Sequence, residues 1–141
     1  MTGEQEVTEF PPAAAQPARR DPNMCIANSV DAATLRPELA YAEGIAKGYG
    51  GCWYAHAWNV NAAGEAVDCT WEHAGTRYLG RVIDAAAKWE ACVARGVWDF
   101  EYPLPWVPDG ETGVGCRTRA EADWFAAAAA RLRTRQDEEA P

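Results

Sequence analysis

Along Trp53 to Asn61 the side chains alternate: Tyr54, His56, Trp58 and Val60 fall on one side, Ala55, Ala57 and Asn59 on the other. This period of two predicts a strand. Ala62-Ala63-Gly64 has turn chemistry, and Ala66 to Thr70 predicts the returning partner. A hairpin centred on Ala62 places His56 directly opposite Asp68, at the roughly 4.5–5.5 Å Cβ separation of cross-strand partners. Upstream the period changes. Ile26, Ala27, Val30, Ala33 and Thr34 recur at three- and four-residue steps, predicting a helix over Cys25 to Leu35 with one buried stripe, ended by Pro37. Asp21-Pro22-Asn23 is the turn that precedes it. Leu39 to Ala46 predicts a short strand, with Gly44 and the Gly48 to Gly51 stretch as bends.

Farther on, Tyr78-Leu79-Gly80 predicts another strand. Val82 to Arg95 predicts a helix with Ile83, Ala86, Ala87, Trp89 and Val93 facing inward and Gly96 as its stop. Trp98 to Pro108 is aromatic and proline-rich, so it reads as extended chain outside the centre of a sheet. Thr118 and Glu121 form a capping box ahead of a last helix in which Trp124, Phe125 and Leu132 supply the contacts. Residues 1–21, acidic and then rich in Pro and Ala, predict a flexible arm. Residues 22–135 then form a single α+β domain, and 136–141 an acidic tail. No internal repeat is present.

Composition narrows the functional classes. A chain of 141 residues with a net charge of −8 and no cluster of basic residues does not predict a nucleic-acid partner. Five cysteines, an odd number scattered through the elements, predict a reduced interior. No basic start with an apolar run marks a secretory signal, and no segment approaches the roughly 18–20 apolar residues of a membrane span. A soluble cytoplasmic protein with no membrane partner is expected, and its oligomeric state is open.

The candidate chemistry lies between Met24 and Thr70. Cys25 falls in the first turn of the predicted helix, where unpaired N–H groups and the helix dipole favour an anion. A thiolate nucleophile also needs an imidazole within hydrogen-bond reach and a third group that orients the imidazole. Cys25, His56 and Asp68 supply nucleophile, base and orienting acid in chain order. Separately, each has an ordinary reading, as a small buried hydrophobe, a core imidazole and a solvated carboxylate.

Cys25-x-x-Asn28, Tyr41-x-Glu43-Gly44, His56-Ala57-Trp58 and Gly64-Glu65-Ala66-Val67-Asp68-Cys69-Thr70-Trp71 together resemble the core of small transglutaminase-like (papain-like) proteins of bacteria and phages. The resemblance covers Met24 to Gly80. It implies an α+β fold in which a Cys-bearing helix packs on a small antiparallel sheet, with two further helices. It also implies a Cys-His-Asp triad on Cys25, His56 and Asp68. A papain-type oxyanion hole is completed by a Gln, and no obvious one precedes Cys25. Asn23 and Asn28 are therefore the candidate donors beside the Cys25 backbone N–H.

Glu43 and Trp58 are candidate pocket walls, with a solvated strand-edge carboxylate and core packing as their plainer alternatives; Lys88 reads as a solvated helix charge. Cys52-x-x-x-His56 and Cys69-x-x-x-His73 repeat a spacing that a structural zinc site would need, but Cys52 and His56 are separated by roughly 13 Å of strand. No metal and no cofactor is expected. The sequence thus predicts a cysteine hydrolase or acyltransferase acting on a peptide, amide or protein. The alternative is a non-catalytic interaction protein of the same fold, with a vestigial triad and the Trp98 to Trp106 segment as its working surface.

Overall fold

The computed structural model describes residues 7–100 and 103–139. Among them, three helices accompany a six-stranded mixed sheet, an α+β architecture. In chain order the elements are β1 (Thr8–Glu9), α1 (Cys25–Leu35), β2 (Ala40–Lys47), β3 (Trp53–Val60), β4 (Ala66–Val67), β5 (Arg77–Ile83), α2 (Ala85–Arg95), β6 (Gly113–Val114) and α3 (Arg119–Glu139). The strands run β1-β5-β2-β3-β4, all antiparallel, and β6 lies parallel to the start of β3.

β2 is the central strand, and its burial follows from that position: every residue from Tyr41 to Ala46 is buried, because both sheet faces are covered. One face carries Ala42, Ala46, Trp58, Val60 and Tyr78, capped by Phe10 from the N-terminal segment. On the other, α1 sets Ile26 and Val30 against Tyr41, Ala57 and Ile83. Farther along that face Val107, Cys116 and Leu104 close over Ile45 and Trp53. Gly44 is not a bend but a site of close approach. It pairs with His56 on one side and Gly80 on the other, and a Cβ there would lie 2.6 Å from the Gly80 Cα.

Several expectations are corrected. Residues 7–20 are tied to the sheet at several points rather than free along their length: β1 pairs with β5, Phe10 and Ala13 are buried, and the Arg20 N–H donates to the Cys69 carbonyl; the arm's first six residues lie outside the described part. Val82 and Ile83 continue β5 instead of opening a helix, because they pair with Ala42 and Tyr41, and Asp84 then caps α2 through the Ala86 N–H. Gly96 ends α2 in the left-handed region at φ 69°. α2 turns Lys88 and Cys92 inward, while Trp89 and Val93 are exposed. The Thr118–Glu121 capping box forms, but no residue of α3 is buried, and the helix runs through the start of the expected acidic tail.

The rotation of α2 has an electrostatic cause. Glu43, read as a solvated carboxylate, is 4% exposed in the middle of the central strand, where water cannot reach it. Its Oε2 accepts the Tyr41 hydroxyl at 2.5 Å and lies 2.6 Å from Lys88 Nζ. Lys88, read as a surface charge, is 1% exposed and also donates to the Asp99 carbonyl. A buried ion is tolerated only when paired and hydrogen-bonded. Lys88→Met should therefore lower unfolding free energy in urea by about 3–5 kcal/mol. The double variant Lys88→Met with Glu43→Leu should regain most of that loss.

Candidate active site

Cys25 begins α1 and is partly exposed, while His56 on β3 and Asp68 just beyond β4 are each 2% exposed. The structure brings the three together. His56 Nε2 lies 2.8 Å from Asp68 Oδ2, and Cys25 lies close enough for its charge to bear on the same imidazole. With Nε2 engaged by Asp68, Nδ1 is the nitrogen that remains for sulfur.

The His–Asp contact arises from a different register than the one expected. The β3–β4 ladder pairs Asn59 with Val67 and Val60 with Ala66, so the hairpin is centred on Ala63 rather than Ala62. Moving the centre by one residue shifts the pairing by two, which preserves the face. Asp68 thus stays on the His56 side as a diagonal neighbour, within reach of an imidazole. β4 ends at Val67, which frees the Asp68 backbone to bend toward the site.

Asp68 is held from four directions. Its Oδ1 accepts the backbone N–H groups of Thr70 at 3.0 Å and Trp71 at 3.1 Å. Oδ2 also accepts the Tyr78 hydroxyl, at 2.8 Å. The Asp68 N–H donates to Gln16 Oε1 at 2.8 Å, and the Gln16 amide donates to the carbonyls of Ala13 and Ala66. The turn made by Asp68 lays the Trp71 ring on His56, with centroids 3.9 Å apart and planes 19° apart. Sequence reasoning singled out none of Tyr78, Trp71 and Gln16. An Asp followed by Cys-Thr-Trp carries a local signal for the first two N–H contacts, since Asp side chains bind backbone two and three residues on. Gln16 and Tyr78 reach Asp68 only through the fold.

Electrostatics follow from these bonds. Burial alone drives the His56 pKa down, but the hydrogen bonds to Asp68 and Cys25, with the charges on both, outweigh it and raise the value to about 9. Burial works the other way on Asp68, and there the His56 hydrogen bond and charge, with the two backbone N–H groups, hold the carboxyl below its ordinary range. Burial, reinforced by the Asp68 charge, pushes the Tyr78 hydroxyl far up, so it stays a donor.

The other candidates have different roles. Asn28 is buried, and its amide donates to the Asp21 carbonyl at 2.8 Å and to Thr70 Oγ1 at 3.0 Å, so both amide hydrogens are used and it does not serve as an oxyanion donor. Asn23 sits exposed in the turn before α1 at φ 62°. The residue that caps α1 is Met24, which makes no side-chain capping bond; the N–H groups of the first turn, including that of Cys25, have no partner within the helix. Trp58 is a core residue, wedged against Phe10 and Tyr78 and across Gly80. Glu43 belongs to the pair with Lys88 rather than to a pocket wall.

The residues of the repeated Cys-x-x-x-His spacing are dispersed. Cys52 lies against the Thr112 carbonyl, Cys69 against Asn59, and His73 beside the Tyr49 ring. Among the described residues no group of three His, Cys, Asp or Glu side chains is arranged to hold a metal ion. Nor is any helix long and apolar enough to cross a membrane. Comparison of the chain with protein-family models, curated proteins and solved structures returned no match.

The pKa directions set a pH profile. A histidine raised from 6.5 to about 9 contributes stability fully below pH 6.5 and loses it as the pH climbs toward 9. For Asp68, held below 3.8, the contribution is complete above that value and is lost as the pH falls through the folded-state pKa. The thermal midpoint should thus decline between pH 6.5 and 8.5, and His56→Gln should flatten that decline.

Proposed function

We propose that the protein is a cysteine-dependent acyl-transfer enzyme of the amide hydrolase, deamidase or transglutaminase type, on a transglutaminase-like core. The observation that carries this reading is the buttressed His56–Asp68 pair, with the partly exposed Cys25 at the uncapped start of α1 near enough to influence the imidazole. Five free cysteines suit the reducing cytoplasm in which such a thiol stays usable.

In this mechanism His56 takes the Cys25 proton as sulfur attacks. Sulfur adds to the carbonyl carbon of a peptide or amide, and the oxyanion is met by the first-turn N–H groups of α1. Collapse expels the amine, which takes the proton from His56. The neutral imidazole then accepts a proton from water, or from an acceptor amine, as that group attacks the thioester. Asp68 keeps Nε2 protonated and the ring turned toward sulfur throughout.

A second observation favours a different reading. A cleft of about 580 Å³, lined in part by Leu104, Trp106, Arg117 and Phe125, includes no triad residue. It suits a non-catalytic interaction protein whose working surface is the aromatic segment and whose triad is vestigial.

Cys52 is partly exposed like Cys25, which makes it an internal control. Near pH 6, iodoacetamide should alkylate Cys25 at least tenfold faster than Cys52, and His56→Ala should remove the difference; equal labelling in the unmodified protein would count against the enzyme. If the cleft is instead the working surface, Trp106→Ala should abolish biological activity while Cys25→Ala leaves it intact.

A further inference from the structure

α3 is the element that the rest of the fold leaves unexplained. It is 21 residues long and has no buried residue, while Trp124 and Leu132 are 61% and 60% exposed. At 1.5 Å per residue it extends roughly 31 Å, and its Thr118–Glu121 capping box gives it a defined start. A well-capped helix that displays large apolar side chains to water has an unfilled packing requirement.

The pattern on that helix says what fills it. Glu121, Trp124, Ala128, Leu132 and Arg135 recur at steps of three and four residues and so share one face. That face is self-complementary when reversed. In an antiparallel pair centred on Ala128, Glu121 meets Arg135, Trp124 meets Leu132, and Ala128 meets its own copy, where the small side chain permits close approach. The two charge pairs and two apolar pairs are generated by one two-fold axis, as an isologous interface requires. A parallel pairing would put Glu121 against Glu121 and Arg135 against Arg135. We propose that this face of α3 is an interface between two copies of the chain, packed antiparallel about Ala128.

The occupant is thus a second copy rather than an unrelated partner, because the acid-aromatic-small-aliphatic-base order reads as its own complement. One Glu121 oxygen is engaged by Thr118, which leaves the other for Arg135 of the second copy. Such rim charges set orientation more than strength, so the apolar pair carries the affinity and the charges select the antiparallel arrangement.

The full chain, at tens of micromolar in low salt, should sediment at twice its 15.4 kDa mass. Leu132→Glu and Arg135→Glu should each return it to monomer with the helical circular dichroism retained. Combining Arg135→Glu with Glu121→Arg should restore the dimer, since the exchanged charges again oppose each other. A chain that stays monomeric over this range would overturn the proposal. So would a dimer indifferent to Leu132→Glu, or a monomer whose Trp124 fluorescence responds only to anionic phospholipid vesicles.

Discussion

A carboxylate at 2% exposure is tolerable in a fold only when its oxygens are matched by donors, and Asp68 meets that demand with His56, Tyr78 and the backbone of Thr70 and Trp71. Those partners come from β3, β5 and the loop after β4, while Gln16 brings in the N-terminal segment through the Asp68 N–H. The network therefore joins the edge hairpin to the far side of the sheet. Placing His56 beside Cys25 and closing the sheet around β2 are, in this fold, a single act of hydrogen bonding.

A second buried network holds the opposite face. Tyr41, Glu43 and Lys88 form a chain that fixes the rotation of α2, and burial pushes the Tyr41 phenol far up with the Glu43 charge beside it, so that it remains a donor. Between the two networks β2 and β5 meet at Gly44 and Gly80, where a Cβ on either residue would strike the backbone of the other strand. A Cβ at Gly80 would also lie 2.7 Å from the Trp58 ring, so a side chain there would displace that ring.

How much of this was legible in the sequence depended on how local the cause was. The α1 helix, the β3 strand and the Thr118–Glu121 cap follow from periodicities and spacings within a few residues, and the structure has them close to where they are read. The His56–Asp68 contact was legible through face alternation even though the hairpin centre was displaced, because parity survives a shift of two. Glu43 and Lys88 were not legible as a buried pair, since nothing near either residue signals a partner 45 positions away. Phe10 and Ala13 lie in a stretch with no periodicity; Phe10 is held by Tyr78 of β5 and Ala13 by Ala66 of β4. Trp124 and Leu132 look inward-facing in any helical reading, because a sequence pattern marks an apolar side chain without saying what covers it.

Met24 stands where helices favour Ser, Thr, Asp or Asn, and the absence of a side-chain cap leaves α1 short of an interaction typically worth about 1 kcal/mol. The vacancy couples two properties usually treated apart. Any group with a negatively charged or carbonyl oxygen that settles at the Cys25 end of α1 completes the helix as a cap would, so occupancy of that point is also reinforcement of the fold. The first turn of α1 is in this sense a piece of secondary structure that the Met24 side chain leaves uncapped.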